Sequence, residues 1–112
     1  MDIRENQSGK VNIVSIQGSI DALTAEQITD RLNEVIARGE IHLVMDLGQV
    51  DFMSSAGLRM ILGALKETRQ KGGDLYIAAT QTGVARLLKM SGFVTISRTF
   101  DSVDEAVKGF GD

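Results

Sequence analysis

Apolar and polar positions change period several times along this chain. From Val11 to Ile16 they alternate well enough for a strand that ends at Gly18, and Ser8-Gly9-Lys10 before it is a turn signal. Residues 1–6 are short and weakly apolar, so the start of the chain reads as a β-hairpin with an edge strand. Ser19–Leu23 reads as a loop. From Thr24 to Ala37 the period becomes helical, with Ile28, Leu32, Val35 and Ile36 on one face. Thr24 is placed to cap this helix, with Gln27 completing a capping box, and Gly39 is placed to end it.

Ile41–Met45 is a near-continuous apolar run, too short for a helix and suited to a strand buried on both faces. A polar turn follows Asp46-Leu47, and Val50–Met53 returns to apolar character. A second helix is predicted from about Ser55 to Lys71, with Leu58, Ile61, Leu62 and Leu65 at i, i+3, i+4 and i+7 and Gly72-Gly73 at its end. Leu75–Ala79 predicts another buried strand. Thr80 is placed to cap a third helix carrying Val84, Leu87 and Leu88. Thr95–Phe100 predicts a final strand. Asp101 or Ser102 caps a last helix with Val103, Ala106, Val107 and Phe110 on its apolar side, and Ser102 with Glu105 fits a capping box. The order β-β-α-β-α-β-α-β-α predicts a single α/β domain over 1–112, with a mostly parallel central sheet opened by a hairpin and covered mainly on one face by about four helices.

Composition narrows the chemistry. At 112 residues with 43% hydrophobic and 24% charged residues, the chain can build a core without staples. There is no cysteine, which excludes disulfides, thiol catalysis and zinc–thiolate sites. A net charge of −3 disfavours nonspecific nucleic-acid binding, and 4% aromatics supply few stacking platforms for single strands. No apolar run is long enough to span a membrane. The polar N-terminus, MDIRENQSGK, lacks a signal core and fits a complete cytoplasmic protein.

The most informative stretch is Asp46–Leu58. Ser54 and Ser55 stand directly before Ala56, Gly57 and a helical pattern, where the N–H groups of a first helical turn point outward. Two hydroxyls there can accept or carry a phosphate. Spacing alone equally fits a helix cap and its neighbour. Arg59, four residues after Ser55, shares its helix face and can steady a phosphate, meet an acidic partner or simply be solvated.

Phe52-Met53-Ser54-Ser55-Ala56-Gly57-Leu58 resembles the F-M-D-S-S-G-L signature of STAS domains, which include the anti-sigma factor antagonists of bacterial partner switching. Gly18-Ser19-Ile20-Asp21 is similar to the family's G-x-[LI]-D loop. Lys71-Gly72-Gly73 and Met90-Ser91-Gly92-Phe93 fall where the family has similar pieces, so the resemblance spans nearly the whole chain. It implies a protein-binding module without catalysis or cofactor, a monomer or weak dimer. Its implied partners are an anti-sigma factor serine kinase and a serine phosphatase. By register the implied phosphate acceptor is Ser55, with Ser54 the alternative. The implied contact surface is Ser19, Asp21, Ser54, Ser55, Gly57 and Arg59. Leu58 is expected to pack inward, and Met60 joins the contact face if exposed. The sequence departs from the pattern at Ser54, where the family usually has Asp, and at Ala56, where it has a second serine. That departure keeps a non-phosphorylated scaffold subunit in view.

Other features point to structure. His42 is the only histidine and sits in an apolar run, so a metal site or a Ser-His-Asp triad has no support. The five methionines read as core filler. No GxGxxG or P-loop follows a strand, which leaves a small nucleotide-binding protein as the weakest alternative.

Overall fold

In the computed structural model, which describes residues 1–111, the chain forms β1 (Asp2–Ser8), β2 (Val11–Gln17), α1 (Ala22–Ala37), β3 (His42–Gln49), α2 (Ser55–Gln70), β4 (Asp74–Ala78), α3 (Thr82–Met90), β5 (Thr99–Phe100) and α4 (Val103–Gly109). The five strands lie in sequence order in one sheet. β1 and β2 are antiparallel, and the β2–β3, β3–β4 and β4–β5 pairs are parallel. The expected hairpin and parallel α/β sheet are both present.

Strand alternation divides the core in two. Val14, Ile16, Leu43, Met45, Leu47, Leu75 and Ile77 point to one face, where they pack with Ile28, Leu32 and Val35 of α1, Ile61 and Leu65 of α2, and Val84 and Leu88 of α3. Val11, Val44, Tyr76 and Ala78 point to the other, where they meet Ala106 of α4. Tyr76 stacks on Phe110 at 4.1 Å, and the His42 ring meets Phe110 edge-on at 5.5 Å. His42 is therefore an aromatic packing partner on a central strand. Three helices cover one face and one covers part of the other, as the small number of helices predicted.

Several local expectations are corrected. α1 starts at Ala22, so Ala22 and Leu23 are helical, and its N-cap is Asp21 rather than Thr24. Thr24 is the third helical residue, and the two complete a capping box. Asp21 Oδ1 accepts from the Thr24 N–H at 2.9 Å while Thr24 Oγ1 accepts from the Asp21 N–H at 2.8 Å. Thr24 thus answers the reciprocal bond assigned to Gln27. Thr80 does not cap α3; Gln81 stands at that position without a side-chain cap bond. The predicted strand over Thr95–Phe100 is mostly absent: Phe93–Thr95 is a 3-10 turn and only Thr99–Phe100 pairs with β4. Gly92, at φ 81°, turns the chain so that Phe93 is driven into the core while Val94 and Ile96 stay exposed. The last helix is capped by Ser102, as expected, whose side chain accepts from the Glu105 N–H at 3.1 Å.

The edge strand is tied to α1 by ions. Glu5 receives hydrogen bonds from Arg38 at 2.6 Å and Arg31 at 3.2 Å, and from Asn12 at 3.3 Å. The Arg38 bond is the largest of the effects that hold the Glu5 carboxyl below its ordinary value. A carboxylate depressed in the folded state adds stability above its unfolded pKa and loses that contribution as pH falls through the folded value. We expect Glu5→Gln to destabilise the protein at pH 7 by less than about 1 kcal/mol. It should also flatten the loss of stability below pH ~4.5, as measured by thermal unfolding across an acid series. An unchanged acid limb would remove the role of this cluster.

Candidate functional site

The site is built where β2 and β3 end. Their parallel pairing runs Ser15↔Asp46 and resumes at Gln17↔Gln49, so β3 carries one extra residue. Asp46 fixes this bulge: Oδ1 accepts from the Gly48 N–H at 3.0 Å and Oδ2 from Ser15 Oγ at 3.0 Å. The strand therefore runs through Gln49, beyond the turn expected after Asp46-Leu47.

Past the bulge the two chains stay joined. The Gly18 N–H donates to the Gln49 carbonyl at 3.0 Å, Ile20 N–H to the Phe52 carbonyl at 2.9 Å, and Ser54 N–H to the Ile20 carbonyl at 2.8 Å. Ile20 and Met53 form a parallel bridge. Above the backbone, Ser19 Oγ donates to Asp51 Oδ1 at 2.8 Å. These bonds place the Ser19–Asp21 loop directly beside the start of α2, so residues more than thirty positions apart in the chain share one surface.

Below them, Ile20 and Met53 are buried and Gly57 closes over both. A Cβ on Gly57 would lie 2.6 Å from Met53 Cγ and 2.8 Å from Ile20 Cγ2. Gly57 thus allows the close approach of α2: a side chain at this position would force Ile20 and Met53 to shift.

Ser54 and Ser55 differ sharply. Ser54 has the extended backbone of an N-cap (φ −82°, ψ 174°), and its carbonyl accepts from Gly57 and Leu58 at 3.0 and 3.2 Å. Its side chain makes no cap bond. Ser54 Oγ is sealed from solvent without a hydrogen-bond partner among the described residues. Ser55, the first residue of α2, is exposed. The first-turn N–H groups of Ser55 and Ala56 have no intrahelical acceptor, and no acidic residue stands in that turn.

Asp21 is exposed, and the Thr24 backbone bond, foremost among its contacts, keeps its carboxyl below the ordinary value. Arg59 is exposed and lines a groove of about 400 Å³ between α1 and α2, with Ala22, Glu26, Ala56 and Gly63. Leu58 is half-buried against the core, as expected. Met60 is only 8% exposed, which removes it from the contact face. Sequence reasoning missed Asp51, whose only signal was an acid next to the apolar Val50 and Phe52. It also missed Phe52 and Leu23, two large apolar side chains left exposed at this end. Among the described residues no cluster of His, Cys, Asp and Glu could hold a metal ion, and no helix is long and apolar enough to cross a membrane.

A model of the STAS domain matches residues 2–106. The chain belongs to the STAS family. An anti-sigma F factor antagonist of Paenibacillus polymyxa is 37% identical over 93 residues, covering 82% of this chain and 80% of its own. The crystal structure of an anti-sigma factor antagonist from Mycobacterium paratuberculosis superposes with a TM-score of 0.88 at 23% identity, covering 99% of this chain and 94% of that one. The phosphorylated form of the Bacillus cell fate determinant SpoIIAA superposes with a TM-score of 0.75 at 17% identity, covering 96% and 98%. The two structures show that this STAS chain shares their fold.

The packing under Gly57 leads to a direct expectation. Gly57→Ala should lower stability by about 1–3 kcal/mol, because Ile20 and Met53 must both move to admit one methyl group. Urea unfolding measures this, and an unchanged midpoint would show that the gap relaxes freely.

Proposed function

We propose that this STAS protein is an anti-sigma factor antagonist, acting in the cytosol by binding an anti-sigma factor serine kinase and so releasing a sigma factor. In this reading phosphorylation of Ser55 switches the binding off and a serine phosphatase restores it. The names of its relatives support the antagonist role, and the phosphorylated form of SpoIIAA supports a modified state for this fold. The observation that carries the choice of acceptor is local: Ser55 is exposed at the head of α2, whereas Ser54 Oγ is sealed from solvent. A kinase can reach the first hydroxyl without opening the fold, and the second only by opening it.

Charge explains the direction of the switch. A phosphate adds about −1.5 to −2 charges and three strong acceptors. At the head of α2 it meets N–H groups that neither Ser54 nor an acidic side chain occupies. The helix dipole favours an anion there by ~0.3–1 kcal/mol. The fold therefore tolerates the group. A partner that covered Ser55 would have to desolvate a dianion, which costs several kcal/mol unless it is paired, and each ~1.4 kcal/mol is tenfold in affinity. Binding is lost while the domain stays folded.

The second reading is a STAS scaffold subunit that is never phosphorylated. The observation that favours it is Ser54 in place of the family's usual Asp. Incubation with the cognate anti-sigma factor serine kinase and ATP, followed by intact mass and peptide mapping, separates the two. One phosphate at Ser55 is expected, lost in Ser55→Ala and kept in Ser54→Ala. No incorporation in the wild type would favour the scaffold.

Ser55→Asp should leave the thermal midpoint within about 2 °C of wild type, since a surface change of this kind lies within ±0.5 kcal/mol. The same substitution should weaken kinase binding at least tenfold by calorimetry. A large fall in midpoint with binding intact would make Ser55 a structural residue.

A further inference from the structure

Phe52 and Leu23 are held out of the core by their own elements. Met53 follows Phe52 and takes the inward position of the bridge to Ile20, so Phe52 points outward and is 55% exposed. The Phe52 carbonyl accepts from Ile20, which locks the backbone in that phase. Leu23 lies in the first turn of α1, between ~140° and ~200° around the helix from the buried Ala25, Ile28 and Leu32; it is 65% exposed. Neither side chain can turn inward without unmaking the bonds between the two loops or the α1 cap. Both belong to the segments that carry Ser19, Asp21 and Ser55.

Resting on the antagonist reading above, we propose that Phe52 and Leu23 are the apolar anchors by which this surface docks on the kinase, entering an apolar depression whose rim is cationic. Aromatic anchors at the centre of an interface carry a large share of binding energy, and exposed apolar groups framed by polar ones mark such places. The cationic rim follows from the carboxylates of Asp21 and Asp51 on the same two segments. Asp21 Oδ1 accepts within its own segment, from Thr24, and Asp51 Oδ1 accepts from Ser19 across the join, while among the described residues neither Oδ2 has a hydrogen-bond partner. Arg59 is the counter-charge on α2, one turn beyond Ser55. A second copy is the poorer occupant, because a two-fold contact through this face sets Asp21 and Asp51 against like charges.

The anchors also sharpen the effect of the phosphate. Apolar docking dries the surroundings, and charge in a dry contact is far less screened than in water. A dianion on Ser55 beside Phe52 therefore opposes both the apolar contact and the approach of Asp21 and Asp51 to their cations.

The test measures affinity for the cognate anti-sigma factor serine kinase, by calorimetry, with wild type, Phe52→Ser, Leu23→Ser, Phe52→Leu and Met90→Ser. Met90 is exposed at the end of α3 and controls for loss of any surface hydrophobe. Phe52→Ser is expected to weaken binding by roughly 30-fold and Leu23→Ser by about tenfold. Phe52→Leu should restore most of the loss, and Met90→Ser should change nothing. Thermal midpoints of all five proteins should agree closely, since both anchors are exposed. If wild type binds and both serine variants bind equally well, the anchor proposal fails and the antagonist reading stands. If wild type does not bind, the antagonist reading fails and takes the anchors with it. A dimer that both serine variants abolish, with kinase affinity unchanged, would assign the anchors to self-association.

Discussion

The candidate functional surface depends on the short backbone join between residues 18–20 and 49–54. Two parallel strands usually part where their crossover connections begin. Here they are held together past the bulge by hydrogen bonds from Gly18, Ile20 and Ser54, and by the Ile20–Met53 bridge. Every group of interest hangs from that join. It sets Ser19 against Asp51, places the Asp21 cap beside the head of α2, and lays Ile20 and Met53 as a floor under Gly57. Without it the Ser19–Asp21 loop and Ser55 would be separate surface features.

The join also explains why this end of a stable core is suited to the proposed switch. Its rigid parts are apolar and sealed: Ile20, Val50 and Met53 are all buried. Its exposed parts are two hydroxyls, two carboxylates, a guanidinium and two apolar side chains on a fixed frame. Adding charge to Ser55 need not move the frame, because the first turn of α2 lacks acidic residues and has no side-chain cap from Ser54. The same replacement of Asp by Ser that departs from the family pattern leaves that turn open to an anion.

Most of the architecture was legible in the sequence because period and burial report the same physics. The helical stripes of α1 and α2 and the short apolar runs of β3 and β4 each name an element and the face it buries. The errors fell where a local signal had two readings. Thr24 and Asp21 can each cap a helix, and the choice went to Asp21 because the join at Ile20 fixes its backbone in extended conformation, one residue before the helix starts. Thr95–Phe100 has β-forming residues throughout, yet Gly92 and the burial of Phe93 consume its first half in a turn. Met60 was ambiguous because its helix is covered by α1 along one side as well as by the sheet.

By itself the sequence determined the element order, the parallel sheet, the glycine at position 57 and the pair of hydroxyls at the head of a helix, since each follows from spacing of a few residues. Only the tertiary structure decided which hydroxyl faces solvent, because Ser54 and Ser55 are adjacent and differ only in the direction the backbone gives them as β3 passes into α2. Only the tertiary structure brought Asp51 to Ser19 and left Phe52 and Leu23 exposed. Those outcomes depend on contacts between segments about thirty residues apart, and no local pattern encodes such contacts.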